Sequence, residues 1–107
     1  MSVPHDDLVR SIRLYLSDIG ALSIKVDTPG LLHDRNGTPV KIGTKGVLDI
    51  NACMKGRFVA IDAKMGRDRL SPTQTNYVQA VERAGGIAFA AWSVDDVANR
   101  LRMEGLL

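Results

Sequence analysis

GVLDINACMKGRFVAIDAK, residues 46–64, is the stretch from which the fold is read. Two apolar runs, Val47 to Cys53 and Arg57 to Ala63, flank Lys55-Gly56, and two strands joined by a short glycine-containing loop predict a β-hairpin. With Lys55 and Gly56 as the loop, Met54 faces Arg57 and, counting outward, Asp49 faces Asp62. Directly opposed residues on an antiparallel pair have Cβ atoms about 4.5–5.5 Å apart, so the two carboxylates repel. The arrangement needs positive charge. Side chains alternate between faces, so Lys64 shares a face with Asp62 while Ile61 and Ala63 point the other way. A divalent metal is the other candidate, because hard cations prefer oxygen ligands and are commonly held by one or two carboxylates. The pairing depends on register: a slip of one residue turns one aspartate away.

Outward from the hairpin, Met65 to Leu70 form a basic connector, and Ser71-Pro72-Thr73-Gln74 fits a capping box, with proline at the first helical position. The helix so begun carries Tyr77, Val78, Val81 and Ala84 and stops at Gly85-Gly86. Ile87 to Trp92 is a continuous apolar run that predicts a strand buried on both faces, with Trp92 as packing. Ser93 caps a last helix with Asp95 and Asp96 in its first turn and Arg100 and Arg102 towards its end. In the tail, Met103 to Leu107, apolar side chains would be left exposed in a monomer, a hint of a partner surface.

On the N-terminal side, Leu8, Ile12, Tyr15, Leu16 and Ile19 mark an amphipathic helix over Asp6 to Ile19, ended by Gly20. Asp6 and Asp7 suit its positive end. Ala21 to Val26 predicts a short strand. Asp27 to Lys45 is rich in turn residues and predicts a long connection with a small hairpin at Asn36-Gly37. His33 within it reads as a plain loop residue, since no second histidine or cysteine stands at ligand spacing.

The chain has 107 residues, 45% apolar and 24% charged, which predicts one soluble globular domain over residues 1–107 and argues against disorder. Its one cysteine, Cys53, excludes an internal disulfide and reads as a small buried hydrophobe. No run is long enough for a membrane span and the N-terminus lacks the pattern of a secretory leader, so a cytoplasmic location is expected. The net charge is +2, yet residues 41–69 hold seven lysines and arginines against three aspartates. A basic segment around two carboxylates suits a polyanion approaching a metal site; the same charges also fit an ordinary solvated surface.

The element order, with an aspartate on the second main strand and Asp-x-Lys on the third, is similar to the core of the PD-(D/E)xK nucleases. Within them the chain resembles the VRR-NUC, or virus-type replication-repair nuclease, domain. Gly46-Val47-Leu48-Asp49, Ile61-Asp62-Ala63-Lys64, Leu70-Ser71-Pro72 with Gln74, and Gly85-Gly86 before a strand carry the resemblance over nearly the full length. It implies an α/β, restriction-endonuclease-like αβββαβ core, with a mixed sheet flanked by helices and a C-terminal helix added. It also implies Mg²⁺ or Mn²⁺ bound by Asp49, Asp62 and the carbonyl of Ala63. Lys64 would position or deprotonate the attacking water, and Gln74 would line the site. An acidic residue on the first helix contributes in this family, which points to Asp6 ahead of Asp7. Three positions depart from the family pattern: Leu48 stands where proline is common, Asp62 where glutamate is usual, and the first-helix acid is an aspartate. The shorter acids draw their carboxylates back from the metal.

The activity implied is hydrolysis of DNA phosphodiester bonds, with Lys41, Lys45, Arg67 and Arg69 on phosphates and little base reading. A domain of this size suits structure-selective cutting of branched DNA, and paired cuts in a four-way junction suit a homodimer. Two other readings compete: a catalytically inactive nuclease-fold DNA-binding module, and a small scaffold whose acidic pair is surface decoration. For Gln74, capping and site-lining are compatible if its side chain divides between rotamers or Ser71 makes the cap alone.

Overall fold

The computed structural model describes residues 4–27, 31–41 and 44–107. From the N-terminus it forms α1 (Pro4–Asp18), β1 (Leu22–Lys25), β2 (Leu31–His33) and β3 (Pro39–Lys41). Then follow β4 (Ile50–Met54), β5 (Arg57–Ala63), α2 (Pro72–Arg83), β6 (Ile87–Ala91) and α3 (Val94–Met103). Four strands make the main sheet in the order β1-β4-β5-β6, antiparallel except for the parallel pair β5-β6, while β2 and β3 pair with each other. The result is the mixed sheet flanked by helices that the sequence predicts, and the small hairpin turns at Asn36-Gly37 as expected.

The β4-β5 register pairs Met54 with Arg57 and Ile50 with Ile61. Lys55 and Gly56 both take positive φ, 51° and 80°, the backbone that a two-residue loop needs to match the twist of its strands. The ladder ends at Ile50-Ile61, one step short of Asp49 and Asp62, and the two aspartates meet there through hydrogen bonds to the facing main chain.

The two faces of the sheet are covered unequally. On one, α1 and α3 press Val9, Ile12, Leu16, Val97 and Leu101 onto Ile50, Ala52, Met54, Val59, Ile61, Ala63, Ile87, Phe89 and Ala91. On the other, α2 covers only the β5-β6 half, through a smaller cluster of Leu48, Ala60, Val81 and Ala88. The predicted capping box of α2 is formed: Ser71 Oγ accepts from Gln74 N–H, and the Gln74 side chain accepts from Ser71 N–H.

Two side chains differ from their sequence reading. Cys53 is exposed rather than buried, because Ala52 and Met54 take the α1-α3 face and alternation leaves Cys53 on the half that α2 does not reach. In the tail, Leu106 folds back into the core, while Met103 and Leu107 stay exposed.

Candidate functional site

The acidic pair is tied together by the backbone as well as by the hairpin. Asp49 N–H donates to Asp62 Oδ1 at 3.2 Å, and Ala63 N–H donates to Asp49 Oδ2 at 2.9 Å. Each carboxylate thus holds the other strand's main chain just past the end of β4. This answers in part how a sheet tolerates two facing aspartates. Lys64 answers the rest: its Nζ lies 2.9 Å from Asp62 Oδ2 in a nearly buried ion pair.

Asp62 is 3% exposed, the one buried charged residue among those described. Burial raises its pKa above the ordinary 3.8; the hydrogen bond from Lys64 lowers it, and the nearby charge of Asp49 raises it again. The net shift is upward.

Gln74 completes the lysine's surroundings. Its Oε1 accepts from Lys64 Nζ at 3.1 Å and from Ser71 N–H at 2.9 Å. An amide oxygen has two lone pairs, so one rotamer serves cap and site together, and neither the division between rotamers nor a cap by Ser71 alone is needed. The first turn of α2 is held against the acidic strand at Gly46, where φ is 79° and a Cβ would overlap the Thr73 carbonyl.

From α1 the residue that reaches the pair is His5, which the sequence reading did not single out. His5 Nε2 is 3.1 Å from Asp49 Oδ2. Asp6 is one step on, roughly 100° further round the helix; it approaches His5 Nδ1 at 3.8 Å and lines a groove between α1 and β1. His5 stands three residues before Leu8, one residue outside the helix read from Asp6, so the apolar pattern that marks the helix does not include it. Pro4 beside it, at the start of α1, was the one clue to its place in the first turn.

The basic residues divide. Lys45 and Arg67 are exposed and make no ion pair among the described residues. Arg69 is tethered: Nη1 donates to the Arg67 and Asp68 carbonyls, and the guanidinium lies over the Trp92 ring, 5.6 Å from its centre. Trp92, read as packing, is 38% exposed beneath it. The Lys41 side chain lies outside the described residues.

Among the described residues no three His, Cys, Asp or Glu side chains are arranged about one metal position. The donor set still suits a hard cation that completes its shell with water and phosphate oxygens. Asp49 Oδ1 takes no hydrogen bond among the described residues, and buried Asp62 lies beside a second acid with its pKa raised.

No protein-family model and no curated protein sequence matches the chain. Among solved structures the fold matches Hjc, a Holliday junction resolvase from the archaeal hyperthermophile Archaeoglobus fulgidus, with a TM-score of 0.56 and 21% identity. The match covers 80% of this chain and 65% of Hjc. The α/β fold is therefore the restriction-endonuclease-like one of that resolvase. No helix among the described residues is long and apolar enough to cross a membrane.

Proposed function

We propose that the chain is a metal-dependent, structure-selective DNA endonuclease of the VRR-NUC type, within the PD-(D/E)xK nucleases. Residues 1–107 then form one nuclease domain, working in the cytoplasm on branched DNA such as four-way junctions. The observation that carries this reading is the side-by-side pair Asp49 and Asp62, one of them buried, with the Lys64 ammonium 2.9 Å from it. The likeness in fold to a junction resolvase supports it.

Asp49, Asp62 and the Ala63 carbonyl would hold Mg²⁺ or Mn²⁺. Such an ion supplies Lewis-acid polarisation of a phosphate oxygen and an acidified water. The remaining chemistry belongs to side chains in place. Lys64, steadied by Gln74, orients the attacking water and offsets negative charge that builds at the phosphorus. His5 holds Asp49 through the same oxygen that accepts from Ala63 N–H. Asp6 stands in the next position as the first-helix acid. Lys41, Lys45, Arg67 and Arg69 contact phosphates, with Arg69 presented by Trp92. A homodimer supplies two such sites for paired cuts in one junction.

Cleavage of synthetic junctions, forks and flaps with Mn²⁺, comparing wild type with Lys64→Ala, tests the reading. Branched DNA should be cut by the wild type and hardly at all by the variant; equal cutting by both removes the mechanism. A second reading, a DNA-binding module without catalysis, draws on the ion pair in which Lys64 Nζ occupies Asp62 Oδ2 at 2.9 Å. It requires salt-dependent DNA binding unaffected by Asp62→Asn, and no calorimetric signal with Mn²⁺ in the presence or absence of DNA.

A further inference from the structure

The half of the sheet that α2 leaves bare carries large apolar side chains. Register sets Leu22, Cys53 and Phe58 in one row across β1, β4 and β5, with Ile24 and Asn51 in the row beside it. Leu22 is 74% exposed, Ile24 58% and Phe58 42%, and Cys53 is exposed between them. These are large side chains on strands rather than on a loop. Next to Phe58, Gly86, Ala80 of α2 and Ala84 at the cap of that helix leave a cleft of about 300 Å³. A soluble sheet normally hides such a face against another layer.

We propose that this face is the contact between two copies of the chain, packed about a two-fold axis that passes beside Cys53. Three features select a second copy. First, neither row contains a charged side chain, so the face meets its own image without like charges opposing and offers nothing to a phosphate backbone. Second, pairing through the open edge of β1 is hindered, because Arg13 of α1 donates to the Ser23 carbonyl at 3.3 Å and to Ser23 Oγ at 3.3 Å. The sheet face is left as the route. Third, a protruding Phe58 and an adjoining cleft on the same surface give each copy something to insert and somewhere to receive it.

The three large side chains expose on the order of 300 Å², at the low end of the largest patch an ordinary monomer carries. A standard interface takes about 800 Å² from each partner, so the contact extends over Ala80, Ala84 and the Lys55-Gly56 turn. Asp49, Asp62 and Lys64 point to the same side of the sheet as Phe58, but at the opposite end of β5. From Phe58 to Asp62 is roughly 13 Å at strand spacing, which leaves the site uncovered. Use of the dimer for paired cuts rests on the nuclease reading; the surface itself does not.

Sedimentation velocity and a thiol cross-link test the proposal. The wild type should sediment as a dimer at micromolar concentration. Sheets packed face to face lie about 10 Å apart, so a short bismaleimide should join Cys53 to Cys53 and fail with Cys53→Ser. Ile24→Lys and Phe58→Asp should each weaken the dimer by roughly thirtyfold or more, the size of a hot-spot loss. Both positions are solvent-exposed, and circular dichroism reports whether either variant fails to fold; the wild-type cross-link needs no variant. A monomeric wild type overturns the proposal, as does a dimer that gives no Cys53 cross-link and survives both substitutions. Lys64→Ala should remain a dimer. A cross-linked dimer that cuts no DNA leaves the surface standing and removes the nuclease reading alone.

Discussion

Lys64 and Gln74 are joined by a 3.1 Å hydrogen bond to the same oxygen that caps α2. Stability of the helix start and placement of the lysine therefore share one side chain. Gln74→Ala should cost about 1 kcal/mol of stability through the lost cap and should lower cleavage as well. Gln74→Glu separates the two: it keeps the cap and adds a favourable charge at a helix N-terminus. It also draws Lys64 away from Asp62, so urea denaturation should show stability kept or raised while cleavage of branched DNA falls.

His5 meets Asp49 on the oxygen that already accepts from Ala63 N–H. A carboxylate fixed by two donors cannot swing, and groups that hold a metal-ligating side chain typically govern metal affinity by about 10- to 100-fold. His5→Ala should weaken Mn²⁺ binding, read by calorimetry, by about tenfold. His5→Gln, which keeps a side-chain donor, should recover part of it. Asp6→Asn should change it less, since Asp6 makes no contact with Asp49 among the described residues.

The element order, the hairpin register and the capping box were legible because each rests on local chemistry: alternation, a glycine turn, a serine three residues before a glutamine. Cys53 was misread because alternation tells which face a residue takes and not what covers that face. The limit of α2 is a tertiary fact. His5 was missed for a related reason: its partner lies 44 residues away, and Pro4 beside it marks a helix start without pointing to an acid. The opposed pair Asp49 and Asp62 violates strand propensity, and that local inconsistency is what made it visible.

Asp62 places a pH dependence in the fold. Its pKa is raised in the folded protein, first by burial and then by Asp49, against the lowering effect of Lys64. The folded state then binds more protons than the unfolded state between the ordinary 3.8 and the raised value, so stability falls as pH rises through that window. The penalty is complete once the pH has passed the raised value. Asp62→Asn should therefore raise the melting temperature at about pH 7 by a few degrees, the scale of 1 kcal/mol in a small domain. The gain should vanish as the pH falls well below 3.8, where both states are protonated. A melting series across pH reads the difference directly.

Lys55 occupies the first position of the β4-β5 turn with φ at 51°. A side chain with a Cβ pays about 1 kcal/mol there, less for asparagine, which tolerates the left-handed region. Lys55→Asn should add about 0.5 kcal/mol in chemical denaturation and leave cleavage unchanged, since the turn is at the far end of the hairpin from Asp62.

Gly46 tests whether the acidic strand and the lysine's support form one unit. Its φ of 79° is strained for any other residue, and an added Cβ would strike the Thr73 backbone, which has no room to rotate aside. Either Val47 to Asp49 shifts away from α2, or the first turn of α2 lifts and takes Gln74 with it. Both displacements separate Lys64 from the geometry that holds it on Asp62. Gly46→Ala should thus cost about 2–3 kcal/mol, more than the 1 kcal/mol or so of positive φ alone. It should reduce cleavage further than Gln74→Ala does. Gly37→Ala is the control, with φ at 81° but nothing near its missing Cβ. It should show the smaller backbone cost and full cleavage. Equal losses for the two alanines would mean that contact with Thr73 contributes nothing to the site.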